Sequence, residues 1–252
     1  MIQSAAAARI SVIIPNLNEA GLLGKCVPAG WNDGEVIVAD GGSRDGSAEA
    51  AAAQGWKVCR SAPNRAGQMN AGAGIACGDI FLFLHADTRL PGDFAVHVRR
   101  ILSEPGVIAG AFRLRVDTPA RTMRLFERVA NWRSARLHLP YGDQALFLKA
   151  ERFRAAGGFA ELPILEDVEL VRRLRRHGRI VIAPVPIITS ARRWETIGLW
   201  KTSLLNQACV AAYFLGVPTS RIYEWYYGEP VPDFEVGEIT RHAGRAGGDG
   251  WG

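Results

Sequence analysis

Lysine is scarce in this chain: Lys25, Lys57, Lys149 and Lys201 are its only four. The net charge of +5 therefore rests almost wholly on arginine. Arginine suits bidentate phosphate contacts, and the charge is compatible with an anionic ligand or an acidic membrane surface. Genomic base composition also enriches arginine, so the charge alone carries little weight, and no nucleic-acid partner is expected. Cysteine is sparse as well. Cys26, Cys59, Cys77 and Cys209 form no C-x-x-C pair, which argues against zinc or a disulfide framework and for reduced thiols in a cytosolic protein. Long apolar runs are missing: the longest, near residues 208–217, is about half of the ~20 residues a membrane span needs. The start has no basic segment followed by an apolar run, so no secretory signal is expected. These absences predict a cytoplasmic protein. Two nucleotide motifs are missing too. The first apolar run leads into PNLNE, not G-x-G-x-x-G, and there is no G-x-x-x-x-G-K-[ST]. A dinucleotide-binding enzyme and a P-loop NTPase are therefore disfavoured.

What is present is an ordinary globular composition, 48% hydrophobic and 22% charged over 252 residues. That is enough chain for one large α/β domain. The first half alternates: strands at 9–14, 34–40, 56–61 and 79–87, helices at 47–55, 66–78 and 92–104. Right-handed crossovers make this a mostly parallel sheet covered on both faces. The second half predicts a strand at 106–116 and an Arg-rich amphipathic helix at 120–137. A strand and short helix follow over 141–159, then a helix at 163–178. A strand broken by prolines at 179–188 and one long helix at 196–218 complete it. The domain is expected over 9–229, with a nucleotide-binding half at 9–105 and an acceptor half at 106–229. A Gly-rich, charged tail at 230–252 is expected to be disordered.

In such sheets ligands sit beyond the carboxyl ends of the strands. Polar residues cluster at three such ends: Asn16-Leu17-Asn18-Glu19, Asp40-Gly41-Gly42-Ser43 and His85-Ala86-Asp87. Asp40 could bind a base N–H or a ribose hydroxyl, or merely end a strand before a helix capped by Asp45 or Ser47. Asp87 is either a turn residue or a hard-oxygen ligand for Mg2+ or Mn2+ bridging phosphates. His85 can fill a further coordination position or donate to phosphate. Glu166-Asp167 opens a helix, where acids are stabilising in any case, and where an ionised carboxylate is also available as a general base. Arg192-Arg193-Trp194 reads as a surface basic cluster or as a clamp for a diphosphate leaving group.

Seven segments in order, SVIIPNLNE, VADGGSRDGS, NRAGQMNAGA, FLFLHADT, GDQALF, GGF…LEDVEL and ARRW, resemble family 2 glycosyltransferases of the GT-A fold. The likeness covers roughly residues 9–227 and is closest to a bacterial subgroup described as arsenosugar-biosynthesis-like. The resemblance implies a nucleotide-sugar donor, with UDP as the default nucleotide and GDP open. It implies a hydroxyl acceptor, a divalent cation, Mg2+ or Mn2+, and an inverting transfer. It also implies roles. Pro15, Asn16, Glu19 and Asp40 contact the nucleoside, and Arg65 approaches the nucleotide. Asp87 matches the last carboxylate of D-x-D and holds the metal, with His85 in the first position. Asp167 is the general base beside Glu166, while Arg192, Arg193 and Trp194 lie near diphosphate and acceptor. Three departures stand out: His85 replaces the first Asp of D-x-D, a substitution familiar in the subgroup; Gly41 replaces the second Asp of D-D-G-S; and the Q-x-x-R-W motif of processive relatives is incomplete. Two rivals share the fold, a nucleotidyltransferase and a non-catalytic nucleotide-sugar binder. The helices at 120–137 and 196–218 are expected first to pack onto the domain; the alternative is contact with the inner face of the membrane, which would suit a lipid-linked acceptor.

Overall fold

The computed structural model describes residues 7–232, apart from the side chains of Arg193, Ile197 and Leu199. The expected tail lies almost entirely outside the described residues. The elements run β1 (Ile10–Asn16), α1 (Ala20–Leu23), β2 (Gly34–Asp40), α2 (Ser47–Ala53), β3 (Lys57–Arg60), α3 (Arg65–Ile75), β4 (Ile80–Phe83), β5 (Thr88–Arg89) and α4 (Phe94–Leu102). The second half adds β6 (Val107–Asp117), α5 (Arg121–Leu137), a 3-10 turn (Gly142–Gln144), β7 (Phe147–Lys149), α6 (Ala150–Ala155), α7 (Glu166–Leu174), β8 (Arg179–Ser190), α8 (Arg192–Ile197), α9 (Leu199–Phe214) and α10 (Thr219–Tyr227).

The strands form one sheet in the order β3-β2-β1-β4-β7-β6-β8-β5. Pairs β3-β2, β2-β1, β1-β4 and β6-β8 are parallel; β4-β7, β7-β6 and β8-β5 are antiparallel. The sheet is thus mostly parallel, as expected. The period of two sorts its apolar residues onto opposite faces. Ile10, Val12, Ile14, Val36, Val38, Ile80 and Leu82 share one core with Phe94, Val98 and Ile101 of α4. Ile13, Ile37, Phe81 and Phe83 share the other with Met69 of α3, Phe153 of α6 and Leu170, Val171 and Leu174 of α7. Burial on both faces explains why these strands read as nearly unbroken apolar runs.

Four features differ from expectation. The helix expected at 196–218 is two helices, because Gly198 (φ 95°) breaks it between α8 and α9. The strand expected to be broken by prolines continues to Ser190. Its register against β6 shifts where Phe112 pairs Ala183 but Arg113 pairs Pro186, so Pro184 sits in a bulge where its missing N–H costs no ladder bond. β5 is a two-residue edge strand too short to signal itself. α10 was not foreseen, because TSRIYEWYY lacks an obvious cap and stripe, yet it brings Tyr223, Tyr226 and Tyr227 back over the sheet's carboxyl edge. None of the four cysteines is in a disulfide, and Cys26 and Cys209 are buried; among the described residues no helix is long and apolar enough to cross a membrane.

Candidate active site

At the carboxyl end of β4 the chain turns sharply, with Thr88 N–H donating to the His85 carbonyl at 3.0 Å. The turn buries Ala86 and leaves His85 and Asp87, two residues apart, half-exposed on one side. Both line two adjoining cavities. One, of about 370 Å3, is also lined by Pro15, Asn16, Glu19, Arg65, Gln68 and Glu166. The other, of about 220 Å3, is also lined by Arg65, Tyr141, Asp143, Asp167, Trp194 and Asn206. His85, Asp87 and Arg65 stand where the two meet.

The first cavity is built on the ends of β1 and β2. Gln68 of α3 is buried and donates to the carbonyls of Asn16 (2.8 Å) and Ala39 (2.9 Å), locking the two strand ends together. Asp40 does not line either cavity. It is 2% exposed and accepts from Asn16 Nδ2 and from the Gly42 and Ser43 amides, each at 3.0 Å. Burial alone would raise its carboxyl, but the Ser43 and Asn16 bonds outweigh that and hold it below its ordinary range. Asp40 therefore stands behind Asn16, orienting it. Gly41 has a steric reason: a Cβ there would lie 3.0 Å from both Pro63 Cα and Gln68 Nε2, so no aspartate fits without moving the Pro63 backbone. Both carboxylate oxygens of Glu19 accept from Nη2 of Arg192, at 2.7 and 2.9 Å, joining the two halves of the chain beside the cavity. Arg192 itself lines a third pocket, with Asp87.

The start of α7 divides its two acids between the cavities. Leu165, just before it, adopts left-handed backbone (φ 65°, ψ 25°), which costs a branched residue of the order of 1–2 kcal/mol. Glu166 is 3% exposed, lines the first cavity and pairs with Arg65 at 3.4 Å. Burial lifts its carboxyl above the ordinary range; Arg65 opposes this and Asp167 adds to it. Asp167 faces the second cavity and accepts a short hydrogen bond from the Gly142 amide. A Cβ on Gly142 would lie 3.1 Å from Asp167 Oδ2 and 3.3 Å from His85 Nε2. Absence of a side chain here is what lets the acid and the imidazole face each other.

Asp143 was not singled out from the sequence, although GDQALF was. The 3-10 turn that carries it is held by Gln144, which donates to the Phe112 carbonyl at 2.9 Å and accepts from Ser134 at 2.5 Å. Asp143 Oδ1 is buried without a hydrogen-bond partner. Its carboxyl is pushed up to about 6, chiefly by burial, against Arg133 and with Asp167 and Asp87 adding to the rise. Tyr141 stacks under the Arg133 guanidinium at 3.5 Å from its ring centre. Trp194 is buried, its ring 5.8 Å from Phe126 of α5, and its indole Nε1 also lacks a partner. The Arg193 side chain lies outside the described residues. The aromatic wall of Tyr141, Tyr226 and Tyr227 could not be found from sequence, because only tertiary folding assembles it from three distant segments.

Among the described residues, no group of three or more His, Cys, Asp or Glu side chains forms a metal cage. The donor set nonetheless suits a hard divalent ion. Mg2+ commonly uses one or two carboxylates and completes its shell with phosphates and water. Asp87, accepting only weakly from the Thr88 and Thr189 hydroxyls at 3.2 and 3.5 Å, faces the cavities beside His85 and within the field of Asp143.

The sequence profile described as glycosyl transferase family 2 matches residues 11–159, more than half of the chain. No curated protein sequence matches. Several solved structures share the fold. A mannosyltransferase from Pyrobaculum calidifontis, in complex with GDP-Man and Mn2+, aligns with TM-score 0.58 and 21% identity over 72% of this chain and 56% of that one. Glucosyl-3-phosphoglycerate synthase from Mycobacterium tuberculosis, with Mn2+, UDP and phosphoglyceric acid, aligns with TM-score 0.57 and 20% identity over 84% and 80%. TarS of S. aureus with UDP aligns with TM-score 0.54 and 16% identity over 72% and 60%. The chain thus spans little more than half the length of the mannosyltransferase structure and of TarS.

Proposed function

The chain belongs to glycosyl transferase family 2 and has its GT-A fold, and from that premise we propose that it transfers a sugar from a nucleotide diphospho-sugar to an acceptor hydroxyl with inversion. The observation that carries this is the pair of cavities joined at His85, Asp87 and Arg65, with Asn16 and Glu19 on one side and Asp167 on the other. A nucleoside fits the first, where Asn16 is oriented by Asp40 and where Pro15 and Gln68 form the wall. The acceptor fits the second. UDP is the default nucleotide, with GDP the alternative, and His85 in place of the first acid favours the arsenosugar-biosynthesis-like subgroup.

In this reading Asp167 takes the proton of the acceptor hydroxyl. The freed oxygen bonds to the anomeric carbon from the face opposite the nucleotide, and the bond to the diphosphate oxygen breaks. The Gly142 amide keeps the Asp167 carboxylate aimed, and Glu166 holds Arg65 at the junction. Asp87 and His85 would hold Mg2+ or Mn2+, which when bound offsets negative charge on the departing diphosphate. Arg192 contributes to the same end once it exchanges Glu19 for phosphate, with Arg193 beside it in sequence. Trp194 forms part of the acceptor wall.

The test is a thermal-shift screen of UDP- and GDP-sugars with and without Mn2+ and Mg2+, followed by release of radiolabelled sugar from the stabilising donor. A ligand bound at 100 times its Kd stabilises by about 2.7 kcal/mol. Cation-dependent stabilisation together with sugar release supports an enzyme. Stabilisation without release points to a binder, and no response to any nucleotide sugar sinks the reading.

A further inference from the structure

α5 runs along the outer half of β6, where Asn131 bonds both the amide and the carbonyl of Leu114 (2.8 and 3.0 Å) and Glu127 accepts from the Val116 amide at 2.7 Å. Its inner face buries Met123, Glu127, Ala130 and Ser134. Its outer face is the unusual one. Leu125, Val129 and Trp132 are 57%, 59% and 61% exposed. Arg121, Arg128 and Arg136 are exposed among them. At ~100° per residue the six fall within an arc of roughly 100°. The helix's single acid is the buried Glu127, and among the described residues no carboxylate pairs with these three arginines. α8 packs Trp194 on Phe126 of α5 and leads through Gly198 into α9, which has no acid either. α9 exposes Trp200 and Leu204, each at 69%, with Lys201 as its one charge, and Leu215 just beyond its end is 83% exposed.

We propose that this face docks on an anionic lipid bilayer. Charge selects the occupant. A second copy in a two-fold contact would set arginine against arginine, so the face calls for a negative partner. The interleaving selects the class of that partner. Arginines alone would suit any acidic surface, but Trp, Leu and Val between them match a bilayer interface, where indoles sit at headgroup depth, aliphatics enter the acyl boundary and guanidinium groups meet phosphate. The docked face lies one helix away from the cavity that Trp194 lines. The proposal goes beyond the transfer reading and does not depend on it.

The experiment is co-sedimentation of the full chain with vesicles of phosphatidylcholine alone or mixed with phosphatidylglycerol, at low and high salt. Binding to the mixed vesicles at low salt is expected, with a steep fall as salt rises and none on phosphatidylcholine alone. Each arginine lost should weaken partitioning about fivefold, so Arg128→Glu with Arg136→Glu should abolish it. Trp132→Ala should reduce it several-fold, and melting temperatures near wild type confirm that the variants fold. The proposal is overturned by no sedimentation with the anionic vesicles, by sedimentation that Trp132→Ala leaves unchanged, or by a concentration-dependent dimer that these variants abolish in the absence of lipid. Donor-induced thermal shifts report separately on the transfer reading.

Discussion

Replacing Gly142 by alanine adds one carbon at the point where the proposed base and the imidazole come together. The new Cβ would stand 3.1 Å from Asp167 Oδ2 and 3.3 Å from His85 Nε2. Carbon contacts are comfortable at about 3.5 Å, so each side chain must retreat by roughly 0.2–0.4 Å. A misplacement of about 1 Å in an active site can cost about 10²-fold in rate, so a shift of this size should cost roughly three- to tenfold. Gly142 does not have left-handed backbone, so alanine adds no strain to the 3-10 turn, and folding should be retained. Gly142 lines the cavity of Asp167 but not that of Asn16. The initial rate of labelled-sugar release should therefore fall by more than the donor-induced rise in melting temperature, because His85, which lines both cavities, is displaced less than Asp167. A variant with the wild-type rate would show that the placement of Asp167 does not govern the chemistry. Equal loss of donor binding would show that the two cavities are not divided as described.

Asp167→Asn should lower transfer on the order of 10²–10⁴-fold with donor-induced stabilisation preserved; near-native kcat would remove Asp167 as the base. Glu35 offers a stability test far from the site. Burial would raise its carboxyl, but hydrogen bonds from Lys57, Ser11 and the Cys77 amide outweigh this and bring it from 4.5 to about 2. That difference is worth about 3 kcal/mol. The folded-state value lies below the unfolded one, so this stability is fully present above pH 4.5 and disappears as pH falls through 2. Glu35→Gln should lower stability to urea at pH 7 and flatten its decline across that acid window; an unchanged acid limb would contradict the assignment. Gly72→Ala would place a Cβ 2.6 Å from Ile13 Cγ2, where overpacking costs about 1–3 kcal/mol. Its melting temperature should fall by roughly 2–4 °C per kcal/mol, and an unchanged melting curve would show that α3 can lift from β1 freely.

Local chemistry sufficed for β1 to β4 and for the acids at their ends. Runs such as ISVII and IFLF are buried on both faces, so their hydrophobicity is continuous and their ends are abrupt. Family-like segments single out His85, Asp87 and Asp167 from the sequence alone, and the structure brings these three to one cavity. Asp40 shows the limit of such reading: its type and place suit ligand binding, but only tertiary packing turns it behind Asn16 and occupies its oxygens. Asp143 shows the opposite. Its GDQALF segment is legible as family-like, but nothing local gives Asp143 a role, because its burial and its neighbours come from α5, α7 and the turn after β4, more than one crossover apart. The break at Gly198 and the return of α10 were hidden for the same reason. Periodicity reports which face of a segment is buried, whereas the direction a segment takes after a glycine depends on surfaces that only the folded chain provides.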